Sequence, residues 1–373
     1  MGPLLVLHNR YRTTGGEERA VDDLVWLARE HLGLETELLA RDSALLGRSR
    51  AAVALLRGGL DPDDVAAAVR RTGASIVHAH NLTPSFGWRA LAAARDAGAR
   101  VVLHLHNYRL VCAVATCFTH GEDCTRCHGR NTLPGVRLAC RGDRVEASVY
   151  AAGLALWQRR LVDCVDAFVM PSRAGVERLH ALGAPVGDDV SIVGPVCRSF
   201  ASSSRAGDGG YALVAGRLAV EKGVEDAIAA CARAGVDLVV AGDGPEAPRL
   251  RGLAGDSVRF VGRVDGPRLA ELRAGAAVAV LASRCAEVMP LAAVEAMADG
   301  VPVAATRLGG TSEILPEEDL VAPGDVDGLA RVITARYRDA SAGERALATA
   351  RDRFAPARVA AALADVYAGV AER

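Results

Sequence analysis

Short, continuous apolar runs alternate with longer amphipathic stretches along this chain, and that alternation restricts the fold more than any other feature. The runs fall at Pro3–His8, Ser75–His80, Val101–His106 and Ala167–Pro171, and again at Tyr211–Gly216, Val236–Gly242, Val258–Gly262, Ala277–Ala282 and Val301–Thr306. Helix-like segments such as Glu17–Leu32, Asp61–Arg71, Glu221–Arg233 and Pro267–Arg273 lie between them. Unbroken apolar strands with helices between them mean a parallel sheet covered on both faces. The chain has 373 residues, more than one core holds and suited to two domains of about 150–200 residues. The two series are separated by a polar segment rich in Ser and Gly, which reads as a linker. The expected division is a first domain over 1–197, a linker over 198–210 and a second domain over 211–354. A last helix over 355–373 is free to pack back on the first domain.

In open α/β sheets ligands sit beyond the carboxyl ends of the strands, so the residues that follow each strand carry the functional information. Strand Tyr211–Ala215 runs into Gly216-Arg217-Leu218-Ala219-Val220-Glu221-Lys222-Gly223. Two cations five apart at a strand-to-helix turn suit a diphosphate, because a helix start adds backbone N–H donors and a favourable dipole. A solvated Arg/Lys pair is the ordinary alternative. Of the 44 Lys and Arg residues only Lys222 is a lysine, which points to a position needing a compact charge.

The strand near Ala277–Ala282 leads into a segment with Glu287 and Glu295 eight apart, enclosing Met289-Pro290-Leu291. Pro290 fits a first helical turn, where its missing N–H costs nothing. That puts Glu287 in the loop and Glu295 inside the helix, with the Val288–Leu291 amides available to an anion. Apolar neighbours surround Glu295, so it is either paired or functional.

Taken together, Gly-Arg-Leu-x-x-Glu-Lys-Gly, Gly242-Asp243-Gly244-Pro245, Glu287-x7-Glu295-Ala-Met-Ala-x-Gly-x-Pro-Val and Gly309-Gly310-x-x-Glu313 resemble the family 4 retaining glycosyltransferases, over essentially the whole chain. The resemblance implies an α/β fold of the GT-B type, with two Rossmann-like, doubly wound parallel-sheet domains facing a central cleft. It implies transfer of a sugar from a UDP- or GDP-sugar to a glycan or small-molecule acceptor. By it, Arg217 and Lys222 bind the donor pyrophosphate, Glu287 the sugar hydroxyls and Glu295 the ribose. Gly216, Gly242 and Gly244 border the nucleotide, together with Met289, Pro290 and Leu291. Where the family usually carries Gly or Phe after the first Glu, this chain carries Val288-Met289, giving a bulkier or shifted sugar pocket.

In the first domain, Gly15-Gly16 precede a helix start, where paired glycines let backbone approach a ligand. The family places this Gly-Gly-Glu against the donor phosphate. His104 and His106 share a strand face by alternation. The family position points to His106 as a catalytic contact, and His104 reads as a satisfied structural histidine. His78 and His80 end another strand and rank lower.

Retaining transfer here predicts no acid–nucleophile carboxylate pair of the glycosidase kind. Asp61-Pro62-Asp63-Asp64 opens a helix and reads as capping, so no catalytic metal is expected. Between 111 and 142 lies a cysteine-rich insertion. Cys124-x2-Cys127 has metal-like spacing, and Cys112 and Cys140 flank it. A structural zinc on Cys112, Cys124, Cys127 and Cys140 is favoured over free thiols or disulfides. The nine cysteines, an odd number, and the lack of a signal-peptide pattern suit a reducing, cytoplasmic setting. No run reaches the ~18 apolar residues of a membrane span, though peripheral membrane contact stays open. A net charge of −1 without a basic stripe argues against nucleic acid. Few lysines and abundant Ala, Arg and Gly suggest a high-GC bacterial source, compatible with polysaccharide or natural-product biosynthesis. A dehydrogenase would need Gly-x-Gly-x-x-Gly after a strand, which is lacking. A nucleotide-sugar epimerase or hydrolase of the same architecture is the closer alternative.

Overall fold

The computed structural model describes residues 2–11 and 15–372. Two six-stranded, all-parallel sheets form. The chain separates into two compact units, one comprising Met1–Thr119, Cys124–Val196 and Pro356–Arg373, the other His120–Asp123 and Cys197–Ala355.

In the first unit the strand order is Thr36–Asp42, Leu4–Arg10, Ile76–Ala79, Arg100–His104, Ala167–Met170, Val190–Ile192. In the second it is Val258–Gly262, Leu238–Ala241, Tyr211–Ala215, Ala276–Leu281, Val303–Thr306, Leu320–Val321. Each sheet is doubly wound. The order reverses between Leu4–Arg10 and Ile76–Ala79 in the first, and between Tyr211–Ala215 and Ala276–Leu281 in the second. A crevice opens at the carboxyl end of the strands at each reversal.

The reason for the unbroken apolar runs is visible in the second sheet. Ala212, Val214, Val240, Val278 and Val280 enter one core, while Leu213, Val239, Ala241 and Ala279 enter the other. Alternate residues point to opposite faces, and both faces are covered. The expected strands all form. Thr36–Asp42, Val190–Ile192 and Leu320–Val321 were not foreseen; all three are edge strands, the first half-buried and the others only three and two residues long.

Residues 198–210 are not a loose tether. Ser204 donates through its hydroxyl to Gly300 O at 2.6 Å and through its amide to Glu344 at 2.6 Å, and Arg351 holds the carbonyls of Ala201 and Ser202. The stretch Ala340–Ala371 is long and apolar enough by composition to cross a membrane, although 33% of its most apolar window is buried. It is two helices, broken before Pro356. Ala350 and Phe354 fill the second unit's core, whereas Val359, Leu363 and Tyr367 fill the first unit's. Asp61 is the N-cap residue by position, but its side chain makes no capping bond; Asp63 and Asp64 occupy the first turn.

Candidate functional site

The strand reversal of the second sheet brings together the loop after Tyr211–Ala215 and the loop after Ala276–Leu281. A short 3-10 turn, Val220–Lys222, delivers Lys222. Its Nζ donates to Glu287 Oε2 at 2.6 Å, and Ser283 Oγ donates to Glu287 Oε1. Burial is the largest single effect, pulling the lysine down and pushing the carboxyl up, but the partner's charge, the hydrogen bonds and other neighbouring charges together outweigh it. The result is a raised Lys222 and a lowered Glu287, both ionised at neutral pH. Arg217 is half-exposed, pairs with Glu221, and its charge also helps hold Glu287 ionised.

Arg284 locks the two loops together. It makes a two-pronged bond to Asp226 at 2.6 and 2.9 Å and reaches Glu225 at 2.6 Å, while its amide donates to Glu221 O. Sequence reasoning passed over Arg284; its place three residues before Glu287 was the available signal. Gly242 and Gly244 have a plain geometric purpose. A Cβ on Gly242, at φ +148°, would lie 1.8 Å from Gly216 O, and one on Gly244 2.3 Å from Leu218 O. The loop after Leu238–Ala241 thus presses backbone to backbone on the Gly216–Leu218 turn. Gly309 and Gly310 likewise abut the Glu287 and Val288 carbonyls.

The helix Leu291–Ala298 begins one residue after Pro290, which is its N-cap. Met289 packs half-buried on the core and Leu291 opens the helix. Glu295 is paired: Arg273 Nη1 donates to it at 2.7 Å and Arg273 Nε holds Asp299. Arg217, Lys222 and Glu287 therefore form one electrostatic group, whereas Glu295 belongs to a neighbouring one built on Arg273. Arg273, only 10% exposed, captures Glu295 because a carboxylate among apolar neighbours needs a partner.

In the first unit the helix Gly16–Glu30 starts from Gly15, whose amide donates to Glu18 at 2.7 Å. Tyr11 N donates to the same carboxylate at 2.9 Å. Burial raises the Glu18 carboxyl, but His8 and these amides lower it further. Glu17 accepts from Tyr11 OH at 2.7 Å and from Asn107 at 3.3 Å, and Arg109 covers the Tyr11 ring.

His106 lies just past strand Arg100–His104. Its ring stacks on His104 at 4.2 Å, so the shared face extends beyond the strand. Its Nε2 pairs with His80 Nδ1 at 2.7 Å, and His78 Nδ1 pairs with Tyr367 OH at 2.7 Å. Burial, reinforced by the neighbouring imidazoles, drives His80 and His104 well down and His78 down to about 3; burial also lowers His106. All four are neutral at pH 7. His104 is not the satisfied histidine expected: neither ring nitrogen has a hydrogen-bond partner. His80, ranked low from sequence, is the direct partner of His106. Glu17, His80, Asn81, His106 and Asn107 line part of one pocket.

Burial raises the Cys127 thiol, and the nearby Cys112 and Cys124 raise it further. The Cys112 and Cys117 thiols share a hydrogen bond, which lowers Cys112 to about 6 and raises Cys117. Cys140 donates to Thr119 Oγ1 at 3.3 Å. Ala115 and Cys117 have positive φ. None of the cysteines is in a disulfide among the described residues. Among the described residues, the metal-capable group is His78, His80 and His104, with ligand nitrogens within 4.8 Å of one another. The His78 and His80 rings are stacked at 8°, and His104 is turned by 30° and 24° to them.

Residues 10–193 match the family described as "Glycosyl transferase 4-like domain", and residues 210–339 match "Glycosyl transferases group 1". A glycogen synthase of Mycobacterium tuberculosis is 37% identical over 172 residues, covering 42% of this chain and 41% of that protein. A GDP-mannose-dependent alpha-mannosyltransferase of Mycolicibacterium smegmatis is 32% identical over 242 residues, covering 60% of this chain and 62% of that one. The match thus spans about two-fifths of the length of the first of these relatives. Among solved structures, Anabaena Alr3699/HepE in complex with UDP superposes with TM-score 0.66 at 18% identity, over 98% of this chain and 99% of that one. The sucrose-phosphate synthase of Thermosynechococcus elongatus gives 0.72 at 18% identity, over 98% of each. At this identity the likeness is one of fold.

Proposed function

This chain belongs to the group 1 glycosyl transferases of family 4, with the GT-B fold, and from that premise we propose that it moves a sugar from a UDP- or GDP-sugar to an acceptor hydroxyl with retention of anomeric configuration and without a catalytic metal. The observation that carries the reading is the Lys222–Glu287 pair, 2.6 Å apart at the strand reversal of the second sheet. A cation and a carboxylate in that place suit a ligand with both an anionic diphosphate and a polyhydroxyl ring. Lys222 and Arg217 neutralise the diphosphate; Glu287, fixed by Ser283, accepts sugar hydroxyls. Glu295, fixed by Arg273, accepts ribose hydroxyls. Gly15, Gly16, Gly216, Gly242, Gly244, Met289, Pro290 and Leu291 border the donor.

In the transfer, the bond from the anomeric carbon to the donor phosphate oxygen breaks. The bond to the acceptor oxygen forms on the same face, and the acceptor proton passes to the departing phosphate oxygen. The chain supplies position and charge stabilisation. His106, neutral at working pH, offers a hydrogen bond without adding charge. The working compartment in this reading is the cytoplasm. The test is the anomeric configuration of the product by NMR, together with turnover in EDTA. Retention with full turnover is expected. Inversion, or loss of activity restored by manganese, contradicts the reading.

A further inference from the structure

The pocket of the first unit has two ends of opposite character, and the donor chemistry uses neither the far wall nor its shape. The polar end carries Glu17, His80, His106 and Asn107. The far wall is Leu55 from the helix Arg48–Arg57, Trp88 from the helix Gly87–Asp96, and Leu154 and Trp157 from the helix Arg144–Asp163. Gly153 lets two of these helices close on the pocket: a Cβ there would lie 3.1 Å from Leu55 O. The Trp88 and Trp157 rings lie 5.6 Å apart, with Arg160 over both. Trp157 donates its N–H to Leu56 O at 3.0 Å, but the Trp88 N–H is buried without a partner.

A bare sugar would be badly served by this wall. Its hydroxyls would leave water without finding partners, which is costly. The lining is mostly apolar, for contact, with a few polar groups for orientation, as in a small-molecule site. We infer that the acceptor carries an apolar body, alkyl or aromatic, seated against Leu55, Trp88, Leu154 and Trp157, with its nucleophilic hydroxyl at the His80–His106 end. The acceptor role rests on the transferase reading; the binding itself does not. An oxygen near the ring junction of such a ligand would satisfy the orphaned Trp88 N–H.

The test is calorimetric binding of methyl, phenyl and octyl β-glucosides to the full chain, the last below its micelle-forming concentration. The three share a head group and differ only in the apolar part. Phenyl or octyl glucoside binds roughly tenfold or more tightly than methyl glucoside, since two or more buried CH2 equivalents supply that factor. Preference for the phenyl compound identifies an aromatic aglycone, and preference for the octyl compound a lipid chain. Leu154→Trp, which fills the pocket, removes the preference, Leu154→Met keeps it, and both bind UDP or GDP as the unchanged protein does. Should Leu154→Trp fail to fold, Leu55→Phe fills the space from the opposite wall. Equal binding of the three glucosides, or a preference that survives the filled pocket, overturns the inference. Loss of nucleotide binding with the preference intact would strike the transferase reading alone.

Discussion

At the strand reversal of the second sheet opposite charges meet; at the corresponding place in the first, stacked imidazoles meet, and His78, His80, His104 and His106 are uncharged. The second unit keeps Lys222 and Glu287 ionised by pairing them. The first keeps its histidines neutral by burying them among one another. The same topology thus yields a site that handles ligand charge and a site that excludes it. The sequence sharpens the contrast, since no histidine occurs after His180.

Acid should therefore act on one unit only, and this is the largest expected effect. His78, His80 and His104 have folded pKa values depressed below the ordinary 6.5. Below pH 6.5 the unfolded chain takes up protons that the fold refuses, so stability is full above that pH and falls as pH drops through it. Each histidine costs about 1.4 kcal/mol between pH 7.5 and 5.5, or roughly 4 kcal/mol for the three. Calorimetric melts should show the first unit's transition moving to lower temperature at pH 5.5 while the second holds. Equal movement of both would erase the distinction.

Next in size is Lys222→Ala. Removing one preorganised charge from a transition-state site costs about 10²–10³ or more in kcat/KM for the donor, and steady-state rates at subsaturating donor would measure it. Lys222→Arg should restore little, because the pocket holds a compact ammonium against Glu287. Gly242→Ala forces a side chain to 1.8 Å from Gly216 O at a positive φ. It should cost about 1–3 kcal/mol, read by urea unfolding, and weaken nucleotide binding with little effect on the first unit's pocket.

Much of this was legible in the sequence, for identifiable reasons. Both parallel sheets follow from runs such as Leu4–Leu7 and Ala276–Leu281, which are apolar because both faces are covered. Lys222 and Glu287 could be found because each lies in the segment that follows a strand. The edge strands escaped because Thr36–Asp42 is only half-buried and Leu320–Val321 is two residues long. Arg273 as the partner of Glu295 lies 22 residues away on another helix, a distance no local pattern encodes. His80 looked minor because its role exists only through His106, on a neighbouring strand's loop.

The smallest of the expected effects concerns the helix Pro356–Ala371. Tyr367→Phe removes its bond to His78 and should lower stability by about 1 kcal/mol, seen in the first unit's melt alone.

The account stands on the second sheet holding a nucleotide sugar through Lys222 and its partners, and calorimetric titration with UDP- and GDP-sugars addresses that directly. The unchanged protein should bind at least one of them at one site per chain. Lys222→Ala should lose that binding while retaining the melting profile of the second unit. A Lys222→Ala protein that binds the same nucleotide sugar with unchanged affinity would contradict the account.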